Sequence, residues 1–200
     1  MAGDLVVLVD DNDMELGYRD KDECHTVHDG VPGGVPGGVP GYHHRGLTVL
    51  VYDSNGRVLL QHRKHRIFDS VWDLAGSTHP YHRNGRQEGY EEAALRCLKT
   101  EYSGFDDAVV ANSSVSINYA AIDPRNRIYC ENEFCRLVVS LHGGEIAHKT
   151  DNAYAHKWVT FGALVADVRK NPTNYAPWLT DLVETIETRK PHELSALFVT

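Results

Sequence analysis

Trp72-Asp73-Leu74-Ala75-Gly76-Ser77-Thr78-His79-Pro80, then a polar loop, then Glu88-Gly89-Tyr90-Glu91-Glu92-Ala93-Ala94-Leu95-Arg96-Cys97-Leu98-Lys99-Thr100-Glu101, is the stretch around which the chain is organised. From Glu88 onward it holds good helix formers and no proline, which predicts a helix running to Glu101. Tyr90, Ala94, Cys97, Leu98 and Glu101 recur at helical spacing and share one face. Glu101 is thereby turned inward with its apolar neighbours. A carboxylate held toward a core is expensive unless something pairs with it. The ordinary alternative is a side chain at the helix end that snorkels to water. Two more inward acids and several histidines elsewhere in the chain weigh against that alternative.

Upstream, residues 47–52 (Leu-Thr-Val-Leu-Val-Tyr) read as a strand, Asp53-Ser54-Asn55-Gly56 as a hairpin turn, and residues 57–62 as the returning strand. A basic knot follows, His62-Arg63-Lys64-His65-Arg66, in a chain whose net charge is -8. Both an anion site and a solvated turn fit such a local excess. Nearer the N-terminus, residues 5–9 make a short strand and Asp10-Asp11-Asn12-Asp13 a turn without the glycine and distal glutamate of a calcium loop. Residues 19–25 are polar and read as a strand end or loop. Residues 31–41 repeat Val-Pro-Gly-Gly, a composition of type II turns, and are expected to form a surface insertion.

Downstream, residues 109–122 are strand-like, Asp123-Pro124-Arg125-Asn126 is a turn, and residues 128–141 form a long strand. Alternation along it places Tyr129, Glu131, Glu133, Cys135, Leu137 and Val139 on one face. That face is apolar at its far end, so Glu131 and Glu133 point inward together. Such a pair must bind a cation, meet basic side chains or share a proton. Residues 155–160 are a further strand, 161–169 and 176–189 are helical with Trp178 in the first turn of the second, and the last residues read as a peripheral tail. Strands mixed with helices in this order predict an α+β fold, an α/β/α sandwich on a mixed sheet, built as one domain over residues 1–200.

Composition removes several classes of function. No run is long and apolar enough for a membrane span, and no basic segment followed by an apolar one opens the chain. Four cysteines without paired spacing indicate a reducing, cytoplasmic setting. The acidic balance argues against a general nucleic-acid binder. Neither Gly-x-Gly-x-x-Gly nor a Walker loop is present. Twelve histidines, several beside acids or clustered, suit metal ligation.

Taken in order, Lys21, Cys24-His25, His44-Arg45, Gln61-His62-Arg63, Thr78-His79-Pro80, Arg96 to Glu101, Tyr119, Glu131-Asn132-Glu133 and Ala176-Pro177-Trp178 resemble the type I isopentenyl diphosphate isomerases, a branch of the Nudix fold. The resemblance runs from about residue 4 to 188, whereas the general Nudix hydrolase box is broken at Cys97, Leu98 and Thr100. It implies a divalent metal (Zn2+, Mn2+ or Mg2+) held by His25, His44, His79, Glu131 and Glu133, a nitrogen/oxygen set suited to such ions. It also implies an Mg2+ on Glu101 that bridges to a prenyl diphosphate, with Lys21, Arg63 and Arg66 gripping the diphosphate. Glu133 beside Tyr119 would be one acid/base of an alkene protonation and deprotonation, with Trp178 as the aromatic wall for the carbocation. The family's opposite acid/base is a cysteine; this chain has Ser77 there, and a hydroxyl is far less acidic than a thiol of pKa about 8.5. Isomerisation, protonation-initiated cyclisation of a longer prenyl diphosphate, and diphosphate hydrolysis or binding are the three activities this constellation allows.

Overall fold

The computed structural model describes residues 4–27, 41–149 and 151–198, so the Val-Pro-Gly-Gly repeat lies outside the described residues up to Pro40. The chain opens with a hairpin, β1 (Leu5–Val9) and β2 (Glu15–Asp20), followed by a single helical turn, α1 (Lys21–Cys24). Strands β3 (His44–Tyr52) and β4 (Arg57–Arg63) come next, then four short strands: β5 (Trp72–Leu74), β6 (Gly76–Thr78), β7 (Tyr81–Arg83) and β8 (Arg86–Gln87). The predicted helix is α2 (Tyr90–Glu101), followed by β9 (Tyr102–Ser103) and the long pair β10 (Val110–Ile122) and β11 (Cys130–Leu141). The last elements are β12 (Ala147–His148), β13 (Ala153–Thr160), α3 (Phe161–Lys170), α4 (Pro177–Arg189) and a 3-10 segment (His192–Phe198).

The sheet is mixed. β11 runs parallel to β3 from Glu133 to Leu141, which pairs the whole of β3, and β10 pairs antiparallel with β11. Helices cover both faces, as the α/β/α reading requires. Leu47, Val49 and Val51 of β3 pack with Ala93, Ala94 and Leu98 of α2 on one side. Leu50 of β3 and Leu137 of β11 pack with Leu164 and Val168 of α3 and with Leu179 and Leu182 of α4 on the other. The period-2 alternation of the strand therefore feeds two cores at once.

Two sequence expectations need correction. The stretch 19–25, read as a strand end or loop, does end strand β2 at Asp20, but a helix and no loop follows: the Asp20 carboxylate accepts from the backbone N–H groups of Asp22 and Glu23, capping α1. The C-terminal residues are not peripheral either. Leu194 and Leu197 are buried in the α3/α4 core, and the Glu193 carboxylate accepts from Ser113 Oγ, Ser114 N and Ser114 Oγ. Those serines stand where the β10–β11 register shifts between Asn112 and Ser116, which exposes their donors.

One feature of the sheet creates the cavity. β3 and β4 pair only at Tyr52 and Val58. Beyond that point the strand run 72–78 stands between them, with β5 paired to β4 and β6 paired to β3. The switch occurs at Ala75, whose N–H donates to Val49 O. Asp73 thus belongs to one wing of the sheet and Ser77 to the other.

Candidate active site

Five side chains from four parts of the fold converge at one end of a cavity of about 330 Å³. His25 follows α1, His44 opens β3, His79 follows β6, and Glu131 and Glu133 lie on β11. Parallel register sets Glu133 directly beside His44, and antiparallel register sets Tyr119 beside Glu133. All five are buried, and one ligand atom from each lies within 4.8 Å of every other.

The second ring nitrogens prepare the first. His25 Nδ1 is 2.6 Å from Lys21 O and His44 Nδ1 is 2.7 Å from Tyr42 O, so each Nδ1–H donates to a carbonyl and leaves Nε2 bare. His44 Nε2 and Glu131 Oε2 have no hydrogen-bond partner, although His44 Nε2 is 3.5 Å from Glu133 Oε1 and His25 Nε2 is 3.1 Å from Glu131 Oε2. Buried polar atoms left in this state are costly. A divalent cation among them would satisfy all five, so the donor set fits the group it was expected to hold. Burial pushes His79 well below the usual imidazole range, which favours the neutral ligand form. For Glu133 burial acts upward, but the imidazoles of His44 and His79 beside it, the latter hydrogen-bonded to it, outweigh burial and hold the carboxyl well below its usual range. A neutral imidazole and an ionised carboxylate are the forms a metal requires.

Glu133 is positioned tightly. Its Oε1 is 2.7 Å from His79 Nε2, and its Oε2 accepts from the Tyr119 hydroxyl at 2.7 Å. Two residues past His44 on β3 is Gly46, paired with Cys135, where an added Cβ would run into the Glu133 carboxylate. Only glycine leaves that space.

The other sequence candidates line the same cavity. Trp178 is buried against Tyr119, with ring centroids 5.6 Å apart, and Phe68 meets it edge-on at 5.4 Å. Lys21 donates to Tyr81 OH at 3.2 Å, and Arg66, exposed at the mouth, pairs with Asp22. Glu101 is inward as its helical spacing predicted, but it stands apart from the five-residue cluster. Its carboxylate accepts from Gln61 Nε2 at 2.6 Å and from Cys97 Sγ at 3.5 Å, and burial pushes its pKa up. One protein carboxylate is a thin set for magnesium, which would take its remaining oxygens from phosphate and water.

Arg63 and Ser77 meet at a residue the sequence reading passed over. Asp73 is fully buried. Its Oδ2 accepts from Arg63 Nη1 at 3.0 Å and from Ser77 Oγ at 2.9 Å; its Oδ1 accepts from Trp178 Nε1 at 2.9 Å and from Leu74 N at 2.8 Å. Arg63 also donates to the carbonyls of Phe68 and Ile67 and stacks over Trp178. Asp73 was nevertheless visible as the single acid in the run from Ser70 to His79. Gly46 gave no comparable signal, because a glycine inside an apolar strand has no periodicity of its own.

Comparisons with known proteins agree with this architecture. The chain is 29% identical over 185 residues to isopentenyl-diphosphate Delta-isomerase 1 of Aromatoleum aromaticum, covering 92% of each chain. It is 25% identical over 195 residues to the isopentenyl-diphosphate delta-isomerase of Schizosaccharomyces pombe, covering 90% of this chain and 80% of that one. Among solved structures, a Deinococcus radiodurans protein superposes with a TM-score of 0.61 at 15% identity, over 90% of this chain and 98% of that one. A MutT protein of Methanosarcina mazei follows at 0.57 and 12% identity, over 74% and 95%. At such identities these two structures speak for the fold. The model of the NUDIX domain matches residues 42–182, which hold β3, β6, β11 and all the cluster residues but His25, and the chain belongs to that family.

Proposed function

We propose that the chain is an isopentenyl-diphosphate Delta-isomerase, moving the double bond of a five-carbon prenyl diphosphate by adding a proton at one carbon and removing one from another. The observation that carries this reading is Glu133, clamped by Tyr119 and His79 and facing a cavity whose mouth holds Lys21 and Arg66. The full-length similarity to proteins of that name supports it.

Each residue has a task in that reaction. Lys21 and Arg66 at the mouth bind the diphosphate, and Arg63 closes the inner edge of that site while holding Asp73. A carboxyl held below its usual range is hard to load with a proton and, once loaded, is a strong acid, which an unactivated alkene demands. Glu133 has that property. Tyr119 steers the proton at Glu133 Oε2. The faces of Trp178 and Tyr119 line the cavity where a tertiary carbocation would form, and their quadrupoles favour positive charge there. Burial of the whole site keeps water from the cation.

His25, His44, His79, Glu131 and Glu133 would hold one divalent ion, and Glu101 would contribute to an Mg2+ shared with the diphosphate. When bound, such ions supply charge neutralisation for the buried acids and for the substrate phosphates. Elemental analysis of protein purified without added metal checks the first site: one equivalent is expected, lost in Glu131→Gln.

Product analysis tests the reading. Isopentenyl diphosphate should be converted to dimethylallyl diphosphate, with no release of phosphate. Phosphate release with an unchanged carbon skeleton would make the protein a hydrolase. Cyclised product from a longer prenyl diphosphate, with no action on the five-carbon substrate, would make it a cyclase.

A further inference from the structure

Isomerisation needs two proton-transfer groups on opposed sides of the substrate, and Glu133 supplies one. Ser77, on β6 of the same β3 wing, lines the same cavity, and its hydroxyl is too weak an acid and too weak a base to act alone. The structure places Asp73 directly behind it. Ser77 lines the cavity and Asp73 does not, so the serine stands between the carboxylate and the substrate. We propose that Asp73 is the proton acceptor of the second transfer, working through the Ser77 hydroxyl, an inference that rests on the isomerase reading.

Three observations carry it. Ser77 Oγ is 2.9 Å from Asp73 Oδ2, a full-strength hydrogen bond. Ser77 Oγ also lies 3.0 Å from Thr48 Oγ1; with its one proton given to the carboxylate, it accepts there the proton that Thr48 could otherwise donate to Gly76 O. The hydroxyl therefore has a fixed direction toward the acid. Finally, the carboxylate is oriented by donors from three elements: Arg63 of β4, Leu74 of its own strand and Trp178 of α4. An acid that served only as the counter-ion of Arg63 would not need a hydroxyl from the opposite wing of the sheet. Burial pushes the Asp73 carboxyl up, against the pull of Arg63, and this strengthens it as a base. Asp73 in turn pushes up the nearby Cys97, Glu101, Tyr102 and Cys135, the ionisable groups besides Arg63 that feel its charge.

The transfer balances. A proton from the Glu133 side adds to the terminal methylene of the alkene, and the π electrons form the new C–H bond, leaving a tertiary cation. The C2–H bond then breaks; its electrons form the new double bond, its proton goes to Ser77 Oγ, and the serine's own proton passes to Asp73 Oδ2. No electrons leave the substrate. Reversal carries the same protons back, and exchange with solvent resets both acids between turnovers.

Deuterium uptake from heavy water separates the two transfers, because one group alone can still exchange the carbon it serves. Natural protein should exchange both C4 of isopentenyl diphosphate and C2 of dimethylallyl diphosphate. Asp73→Asn should lower product formation at least 100-fold and C2 exchange with it, while C4 exchange stays within about threefold. Asp73→Glu, which keeps a charge for Arg63 if the amide variant folds poorly, should behave the same way. In a Ser77→Cys background, where the thiol can transfer the proton itself, either Asp73 substitution should leave the ratio of C2 to C4 exchange within about threefold, whatever it does to turnover through the Arg63 pair. Equal falls of that ratio in the serine and cysteine backgrounds, or a joint loss of both exchanges, would make Asp73 a structural ion pair and overturn the relay while leaving the isomerase reading intact. An undiminished Asp73→Asn would overturn it too. Natural protein that exchanges neither carbon would remove the isomerase reading itself, and the relay with it.

Discussion

Buried carboxylates flank the cavity at both ends, and the two groups are compensated in different ways. At one end Glu131 and Glu133 share a strand face with three imidazoles, and buried atoms there lack hydrogen-bond partners. At the other end Asp73 accepts from four donors, one of them a guanidinium, and among the described residues nothing in its immediate shell is left open. The first is an arrangement that a cation completes. The second is already complete as protein, and a missing partner there would be a defect. Burial alone therefore does not mark a ligand site; what marks it is burial with unmet demand.

The largest expected effect falls on the first group. Glu133→Gln should lower isomerase turnover about 1000-fold, within the range typical of lost acid/base catalysis, because the amide cannot carry the proton. Steady-state kinetics with isopentenyl diphosphate measure it, and a loss of less than tenfold would show that Tyr119 or another group already holds the reacting proton.

Stability should separate the two groups next. Arg63→Ala leaves Asp73 buried without its cation, which costs roughly 3–5 kcal/mol. For a chain of this size that lowers Tm by roughly 6–20 °C. In metal-free protein Glu131→Gln should be neutral or stabilising instead, since it removes one of two acids with no countercharge. Thermal unfolding of both variants after chelation tests the contrast. Similar losses in the two would mean that the glutamate pair is compensated by protein after all.

Gly46→Ala comes third and probes geometry without removing any chemical group. The methyl group would meet the Glu133 carboxylate and displace it from Tyr119 and His79. A displacement of about 1 Å in a reacting group commonly costs about 100-fold in rate. The expected outcome is that loss together with a reduced metal content, in a protein that still unfolds cooperatively. Unchanged turnover would show that Glu133 works in another rotamer.

What the sequence made legible follows from range. Alternation along β11 exposed Glu131 and Glu133, and helical spacing exposed Glu101, because each needs only neighbours on one element. The histidines come from three separate elements, and no local pattern joins them; they were reached through resemblance to a family. Asp73 escaped because its role depends on the run 72–78 changing partners at Ala75, a tertiary event. Helix α1 is four residues long, too short for periodicity, and the tail's Leu194 and Leu197 are two isolated apolar residues whose burial is decided by α3 and α4.

The smallest effect concerns His65, which links the basic mouth of the cavity to the Arg63–Asp73 end. Burial pushes its imidazole down to about 3, and the neighbouring Arg63 and Lys21 add to the shift. Its Nε2 has no hydrogen-bond partner. The folded state therefore binds fewer protons than the unfolded chain, whose histidine titrates near 6.5. Stability from this group is fully present above about pH 6.5 and is lost progressively as pH falls toward 3, by at most about 1.4 kcal/mol per unit. Because part of the ring reaches solvent, we expect roughly 1 kcal/mol between pH 7 and 5.5. Urea unfolding at those two pH values should show the drop in natural protein and a smaller one in His65→Gln. The glutamine keeps a polar tip but cannot take up a proton there. If both proteins lose stability equally, His65 stays uncharged in neither state more than the other, and acid sensitivity must arise at the histidine–glutamate end instead. Bound inorganic diphosphate gives the sharper version: an anion beside the ring favours the charged imidazole, so the His65-dependent drop should shrink in its presence.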